Sequence, residues 1–381
     1  MEDSQPNEDV ALETPVPDVF VPPSVHEAAL ISGDSYTYFS PVPSALLPDD
    51  NAAQTQPIAA VHPSKGVPCV LGVDEAGRGP VLGPMVYGVF FLPVELSDSL
   101  LRSEYHFDDS KALTPAVRSS LMAALCDPAS SLHRSCGWAV SALSARDIGA
   151  GMLRGGGGAQ YNLNAQALDA TVALIRGVYE RGVNVTEIYV DTVGPPLTHQ
   201  KKLEREFPTA RITVAKKADS LFPCVSAASV CAKVTRDACL EVLYRARAAA
   251  GRVPRGARVA DAGGNEEQTR DEAGQEQERD EEEEEGMAWG SGYPSDGRCV
   301  AWLRSNMHPV FGWGPECRFS WGTAKDMLET KGKEGTVLVE WPADEDHDNN
   351  TRVTDFFVNE QDQDVDELGT WFGTPAGVEA F

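Results

Sequence analysis

Two acidic side chains, Asp74 and Glu75, close a short apolar run, Cys69 to Val73, and Gly77, Arg78 and Gly79 follow at once. Two more acids hold comparable places. Asp191 ends the run Ile188 to Val190, and Asp219 comes shortly after Arg211 to Ala215. An acid at the end of one buried strand is most often a helix cap or a solvated loop residue. The same step repeated on three strands points to a metal site, provided the strands lie parallel and adjacent, because ligands bind outside the carboxyl ends of such strands. Carboxylates brought together raise one another's pKa unless cations neutralise them. Oxygen donors without His or Cys nearby select magnesium, with manganese as a substitute, over zinc. Two such ions roughly 3.5–4 Å apart can activate a water and stabilise the leaving oxygen of a phosphodiester.

The glycines flanking Arg78 let the backbone approach a substrate closely, and the guanidinium offers a fork for phosphate. A dinucleotide fingerprint is the competing reading of Gly77, Gly79 and Gly83. Its spacing is wrong, and Pro80 leads into a β-branched run rather than a helix. Gly155 to Gly158 lacks the Lys-Ser/Thr of a phosphate loop, and no Gly-x-Ser-x-Gly elbow supplies an acyl nucleophile. Lys111, Lys216, Lys217, Lys233 and Arg236 suit phosphate contacts, though each alone reads equally well as a surface charge. Asp237, in the middle of a helical stretch, reads as an ion-pair partner.

Positioning these residues requires a sheet. Cys69 to Val73, Val81 to Phe91 and Gly137 to Leu143 read as three strands with short connections, an antiparallel meander. Beyond them strands and helices alternate: helix Tyr161 to Arg181, strand Ile188 to Val190, helix Leu197 to Phe207, strand Arg211 to Ala215, helix Phe222 to Ala250. That order implies parallel strands joined by crossovers. The expected architecture is α/β, a five-stranded mixed sheet flanked by helices, with a C-terminal helical extension. Ser295 or Asp296 caps a helix through Asn306, and Ser320 to Leu328 forms the last short one.

The net charge of -26 argues at first against a nucleic-acid partner. Its location reverses the argument. Residues 1–64 hold ten acidic and no basic residues, 261–285 thirteen and two, 331–381 thirteen and three, so the rest of the chain is net positive. The expected organisation is a disordered acidic, Pro-rich extension (1–64), a catalytic core (65–250), an acidic low-complexity insertion (251–286), a C-terminal helical part (287–330) and an acidic tail (331–381). The chain has no apolar run long enough to span a bilayer. Its eight cysteines form no metal or disulfide pattern, which fits a reducing compartment.

At these residues the sequence resembles the catalytic subunit of eukaryotic type 2 ribonuclease H, in the ribonuclease HII family. The blocks that carry the resemblance are GVDEAGRGPVLGPMVY (72–87), DSKAL (109–113), YNLN (161–164), GVNVTEIYVDTVGPP (182–196), AKKADSLFPCVSAASVCAKVTRD (215–237), GSGYPSD (290–296) and HPVFGWGPECRFSWGTA (308–324). The resemblance implies a ribonuclease H-like fold. It also implies an endonuclease that cuts RNA in RNA–DNA hybrids and single ribonucleotides in duplex DNA, leaving a 3′-hydroxyl and a 5′-phosphate. Carried over by motif, Asp74, Glu75, Asp191 and Asp219 are the metal-binding catalytic carboxylates. Gly77, Arg78 and Gly79 sense the ribose 2′-hydroxyl, Tyr293 checks the RNA–DNA junction, and Lys111 contacts substrate. Without the resemblance, Tyr293 reads as a turn aromatic packed on a core edge. Two accessory subunits, B and C, and a nuclear or also cytoplasmic location are implied as well. The tail segment VTDFFVN (353–359) is the expected docking piece.

Overall fold

The run CVLGVDEA forms a strand, β2 (Cys69–Ala76), buried at every position but Glu75. A strand this apolar needs cover on both faces and a neighbour on each edge. It pairs antiparallel with β3 (Met85–Pro93) and parallel with β5 (Val185–Asp191). In this computed structural model the described residues are 20–48, 66–107, 113–153, 161–192, 194–251, 287–308 and 310–329. Together with β1 (Tyr36–Phe39), β4 (Gly137–Leu143) and β6 (Arg211–Ala215), the strands form a six-stranded mixed sheet in the order β1-β4-β3-β2-β5-β6. The β2-β3-β4 meander is antiparallel, and β2, β5 and β6 are parallel neighbours, as the strand and helix order requires.

The helices follow their start signals. Thr114 caps α2 (Pro115–Cys126), accepting from the Val117 amide, with Pro115 in the first turn. α3 (Ser131–Ser135) and α4 (Ala145–Leu153) bracket β4, and Asn162 caps α5 (Leu163–Glu180) through the Asn164 and Ala165 amides. α6 (Pro196–Glu206) joins β5 to β6, and the long α7 (Pro223–Gly251) crosses the sheet. Asp296 caps α8 (Gly297–Ser305), one of the two residues expected there, and α9 (Gly322–Glu329) is the last described helix.

Each face of the sheet has its own core. On one face α7 lies so close that a Cβ on Gly72 would stand 2.3 Å from the Cys224 carbonyl carbon, and one on Gly88 2.6 Å from the Ala228 oxygen. Glycine on the strands and Cys224, Ala228 and Ala232 on the helix allow that approach. On the other face Leu174, Ile175 and Val178 of α5 pack on Leu71, Val73 and Val190. A third cluster joins Leu82 and Leu240 to Trp289, Trp302 and Trp313, tying the C-terminal helices to the end of α7.

Two expectations need correction. The sheet has six strands, not five, because β1 comes from the segment expected to be disordered. The same segment contributes α1 (Glu27–Ser32) and the fully buried Leu46. The second strand also begins at Met85 rather than Val81. Gly83 at φ 81 and Pro84 break it, and Val81 instead donates to the Gly292 carbonyl while Leu82 bridges to Cys317. The tail segment 353–359 and the acidic insertion lie outside the described residues. No helix among the described residues is long and apolar enough to cross a membrane.

Candidate active site

Side chains alternate along a strand, so Val70, Gly72 and Asp74 face α7 while Leu71, Val73 and Glu75 face α5. Val73 pairs with Val190 in parallel register, which puts Asp74 and Asp191 level with each other on neighbouring strands and on the same face. Asp191 in turn pairs with Ala215 of β6. Two residues further, Lys217 at φ 56 turns the chain so that the Ala218 amide donates to Asp191 Oδ1 at 2.8 Å. The next residue is Asp219, 4% exposed, on the short turn (Ala218–Ser220) that leads into α7. Asp74 and Asp191 thus stand level on neighbouring strands, Glu75 interacts with both from the other face, and Asp219 follows the residue whose amide bonds Asp191.

The electrostatics register this crowding. Burial, then the neighbouring Glu75, push the Asp74 carboxyl up to about 8; Asp191 adds to the rise, and a hydrogen bond with Ser229 opposes it. Burial also raises Glu75 to about 7, with Arg78 pulling down and Asp191 pushing up. The Glu75 amide donates to Asp74 Oδ1 at 2.7 Å, so the strand's own backbone holds that carboxyl in place. Among the described residues no three Asp, Glu, His or Cys side chains are already drawn into a ligating cluster.

Beside the acids runs the Gly77–Arg78–Gly79 loop. Gly77, at φ 79, occupies backbone space that favours glycine, and a Cβ there would stand 2.8 Å from the Pro84 carbonyl. Arg78 donates to Asn164 Oδ1 at 2.5 Å and lies 4.0 Å from Glu75. Tyr293 covers Gly79, where an added Cβ would meet the ring at 3.1 Å. Behind both sits Arg236, 6% exposed, donating to the Ser291 carbonyl at 2.8 Å with its guanidinium 5.8 Å from the Tyr293 ring centre. Its burial makes Arg236 a prop for the tyrosine turn rather than a surface phosphate contact. Asp237 pairs with it at 3.3 Å, in the ion-pair role expected. Lys111 lies outside the described residues.

Sequence reasoning missed what holds the loop. Arg318, fully buried, donates from Nη2 to the Gly77 carbonyl at 2.7 Å, from Nη1 to that of Arg78 at 3.2 Å, and from Nε to that of Gly83 at 3.0 Å. Trp321 donates its indole N–H to the Gly79 carbonyl at 2.9 Å. Both belong to the block 308–324, but nothing in the order of residues reveals a contact across more than two hundred positions. On the α5 side a cavity of about 170 Å³ is lined by Glu75, Arg78, Asn164, Asp191, His199 and Lys202 among others. His199 and Asn164 had not been singled out either.

Comparisons with known proteins show the family. The ribonuclease HII family model matches residues 71–262, from within β2 past the end of α7. The ribonuclease H2 A subunit of Neurospora crassa is 56% identical over 365 residues, covering 95% of this chain and 97% of the relative. The human protein of that name is 37% identical over 309 residues, covering 81% and 88%. The crystal structure of ribonuclease H2 from Pyrococcus horikoshii aligns at 26% identity with a TM-score of 0.47, covering 68% of this chain and 96% of that one. A family model spanning every carboxylate strand, and relatives of this identity along most of the chain, make the protein a member of the ribonuclease HII family and a ribonuclease H hydrolase.

Proposed function

We propose that the chain is the catalytic subunit of an endoribonuclease that cuts the RNA strand of RNA–DNA hybrids and incises 5′ of single ribonucleotides in duplex DNA. The observation that carries this reading is the grouping of Asp74, Glu75 and Asp191, where burial and then the charge of Glu75 raise Asp74 and the charge of Asp191 adds to the rise of Glu75, beside a glycine loop whose three carbonyls are held by Arg318 and Trp321. An all-oxygen set in which burial and like charge raise Asp74 and Glu75 suits divalent cations, and Asp74, Glu75, Asp191 and Asp219 are the residues to hold them. Magnesium, or manganese in its place, would supply charge to the attacking water and to the leaving oxygen.

The chain's own residues do the rest. In a trans peptide the carbonyl of one residue and the amide of the next point opposite ways. Carbonyls of Gly77 and Arg78 held by Arg318 therefore turn the Arg78 and Gly79 amides outward, toward a bound strand. Such donors can read a ribose 2′-hydroxyl, the group that distinguishes RNA from DNA at a given site. Tyr293 is 38% exposed and packed on Gly79, and in this reading its ring meets the sugar at the junction. The products in this reading are a 3′-hydroxyl and a 5′-phosphate. The biological roles are ribonucleotide excision repair and removal of primer RNA in the nucleus, within a heterotrimer completed by the two accessory subunits.

The test is cleavage of a DNA duplex bearing one ribonucleotide, with magnesium, with and without the accessory subunits. Incision 5′ of the ribonucleotide is expected, and none in an all-DNA duplex. Asp191→Asn keeps an oxygen to accept the Ala218 amide but loses the charge, so it should abolish cleavage while hybrid binding stays within a few-fold. Wild-type turnover by that variant would sink the assignment.

A further inference from the structure

The cavity beside Glu75 and Asp191 has a second group of polar residues that the reaction does not use. α6 gives it Thr198, His199 and Lys202. The Thr192 hydroxyl accepts from the Gly194 amide at 3.2 Å and lies 3.3 Å from His199 Nδ1. With the Thr192 hydrogen given to Nδ1, the ring carries its own hydrogen on Nε2. That Nε2 is buried and has no hydrogen-bond partner among the described residues. A buried donor left unmet is costly unless a ligand meets it. Burial and the nearby Lys202 hold the His199 pKa below its usual value, so the ring is neutral beside a fixed positive charge.

The other groups match. Lys202 offers three donors, Thr198 a hydroxyl, and Arg78 a guanidinium. Asn164 spends its side-chain oxygen on Arg78, which leaves its amide nitrogen to offer. A set of donors with two cations selects an oxyanion. The cavity also touches Glu75 and Asp191, so an oxyanion held there lies beside the carboxylates that would act on the scissile phosphate. We propose that His199, Lys202 and Asn164 form a subsite for the phosphodiester that adjoins the scissile one on the same strand. The assignment rests on the nuclease reading above and extends it by one phosphate.

The test measures hybrid affinity and, separately, turnover, so that the two readings fail apart. Lys202→Gln and His199→Leu should each weaken hybrid binding and raise KM by roughly fivefold or more with kcat nearly unchanged. Lys202→Gln should also lower the salt slope of binding by about one. His199→Gln, which keeps a donor, should recover most of the affinity. Lys201→Gln, the exposed neighbour on α6 that does not line the cavity, should behave as wild type. A single neutral methylphosphonate is then walked along the strand. At the phosphate next to the cut, its effect and that of Lys202→Gln should fail to add. Wild-type affinity in both cavity variants would overturn the subsite and leave a water-filled hole, as would full additivity at every phosphate. A wild-type protein that binds hybrid without cutting it defeats the proposed reaction, while the affinities still decide the subsite.

Discussion

Arg318 donates from Nη2 to the carbonyl of Gly77, 241 residues earlier in the chain, at 2.7 Å. Burial, and then the facing Arg236, push its pKa down to about 9, so it remains charged at neutral pH. A charge is tolerated there because three carbonyl oxygens receive its hydrogens. Lysine cannot present that fork. Arg318→Lys is expected to lower kcat on a long hybrid on the order of tenfold or more, since the loop's outward amides lose their fixed direction. Each orphaned carbonyl should cost about 1–3 kcal/mol of stability. Trp321→Phe removes one bond, to Gly79, and should cost about 1 kcal/mol with a smaller kinetic effect. Steady-state kinetics and thermal unfolding separate the two effects. Unchanged turnover in Arg318→Lys would contradict the positioning role.

The raised acids predict how stability depends on pH when no divalent cation is present. Asp74 moves from 3.8 to about 8 and Glu75 from 4.5 to about 7. Between those limits the folded protein keeps protons that the unfolded chain has released. The contribution of these two carboxyls is therefore full below pH 4 and falls as the pH rises to about 8, by at most about 1.4 kcal/mol per pH unit for each group. Urea unfolding in a chelator from pH 5 to 8.5 should show this decline. Asp74→Asn should flatten it, making the variant more stable than wild type at pH 8. Adding magnesium should offset it, because a ligand that binds only the folded state stabilises that state. Stability that rises with pH across this window would show that burial and like charge do not raise these two carboxyls.

Gly79 and Tyr293 form one contact and should fail together. An alanine Cβ at Gly79 would stand 3.1 Å from the Tyr293 ring, tight enough to displace it. Gly79→Ala is expected to copy Tyr293→Ala, cutting incision at a single embedded ribonucleotide by roughly tenfold more than cleavage of a long hybrid. The long hybrid offers other registers and needs no junction check. Equal losses on both substrates, in either variant, would reduce Tyr293 to a packing role.

The three parallel strands were legible because each is a short, β-branched-rich run with an acid at its end or just beyond it, and α7 because its small and apolar residues keep a helical period. Asp296 was legible as a cap for the same local reason. What local pattern cannot carry is a partner distant in sequence, so Arg318, Trp321 and the prop under Tyr293 stayed hidden. The Thr114–Pro115 step could have announced α2, and strand alternation could have placed Asp74 and Glu75 on opposite faces. β1 escaped for a compositional reason. Ten of the 26 prolines fall in residues 1–64, and a four-residue edge strand among them shows no period. An edge strand also leaves one side unpaired, which is where nearby proline is tolerated.

That segment makes the last prediction. Leu30 and Leu46 are 5% and 0% exposed, Ser24 bonds Thr235 of α7 at 2.8 Å, and Phe39 lies under the Arg181 guanidinium at 3.5 Å. Phe39 also fills the space above Gly177 of α5, so the strap touches the helices on both faces of the sheet. Removing residues 1–48 strips β1 from β4 and should cost several kcal/mol, since each buried leucine alone is worth about 1.5–3 kcal/mol. Leu46→Ala, a smaller lesion, should cost about 2–5 kcal/mol without altering the carboxylates. Chemical denaturation of the two variants decides the matter. If the deletion unfolds at the wild-type midpoint, β1 is an ornament of the sheet and not part of its edge.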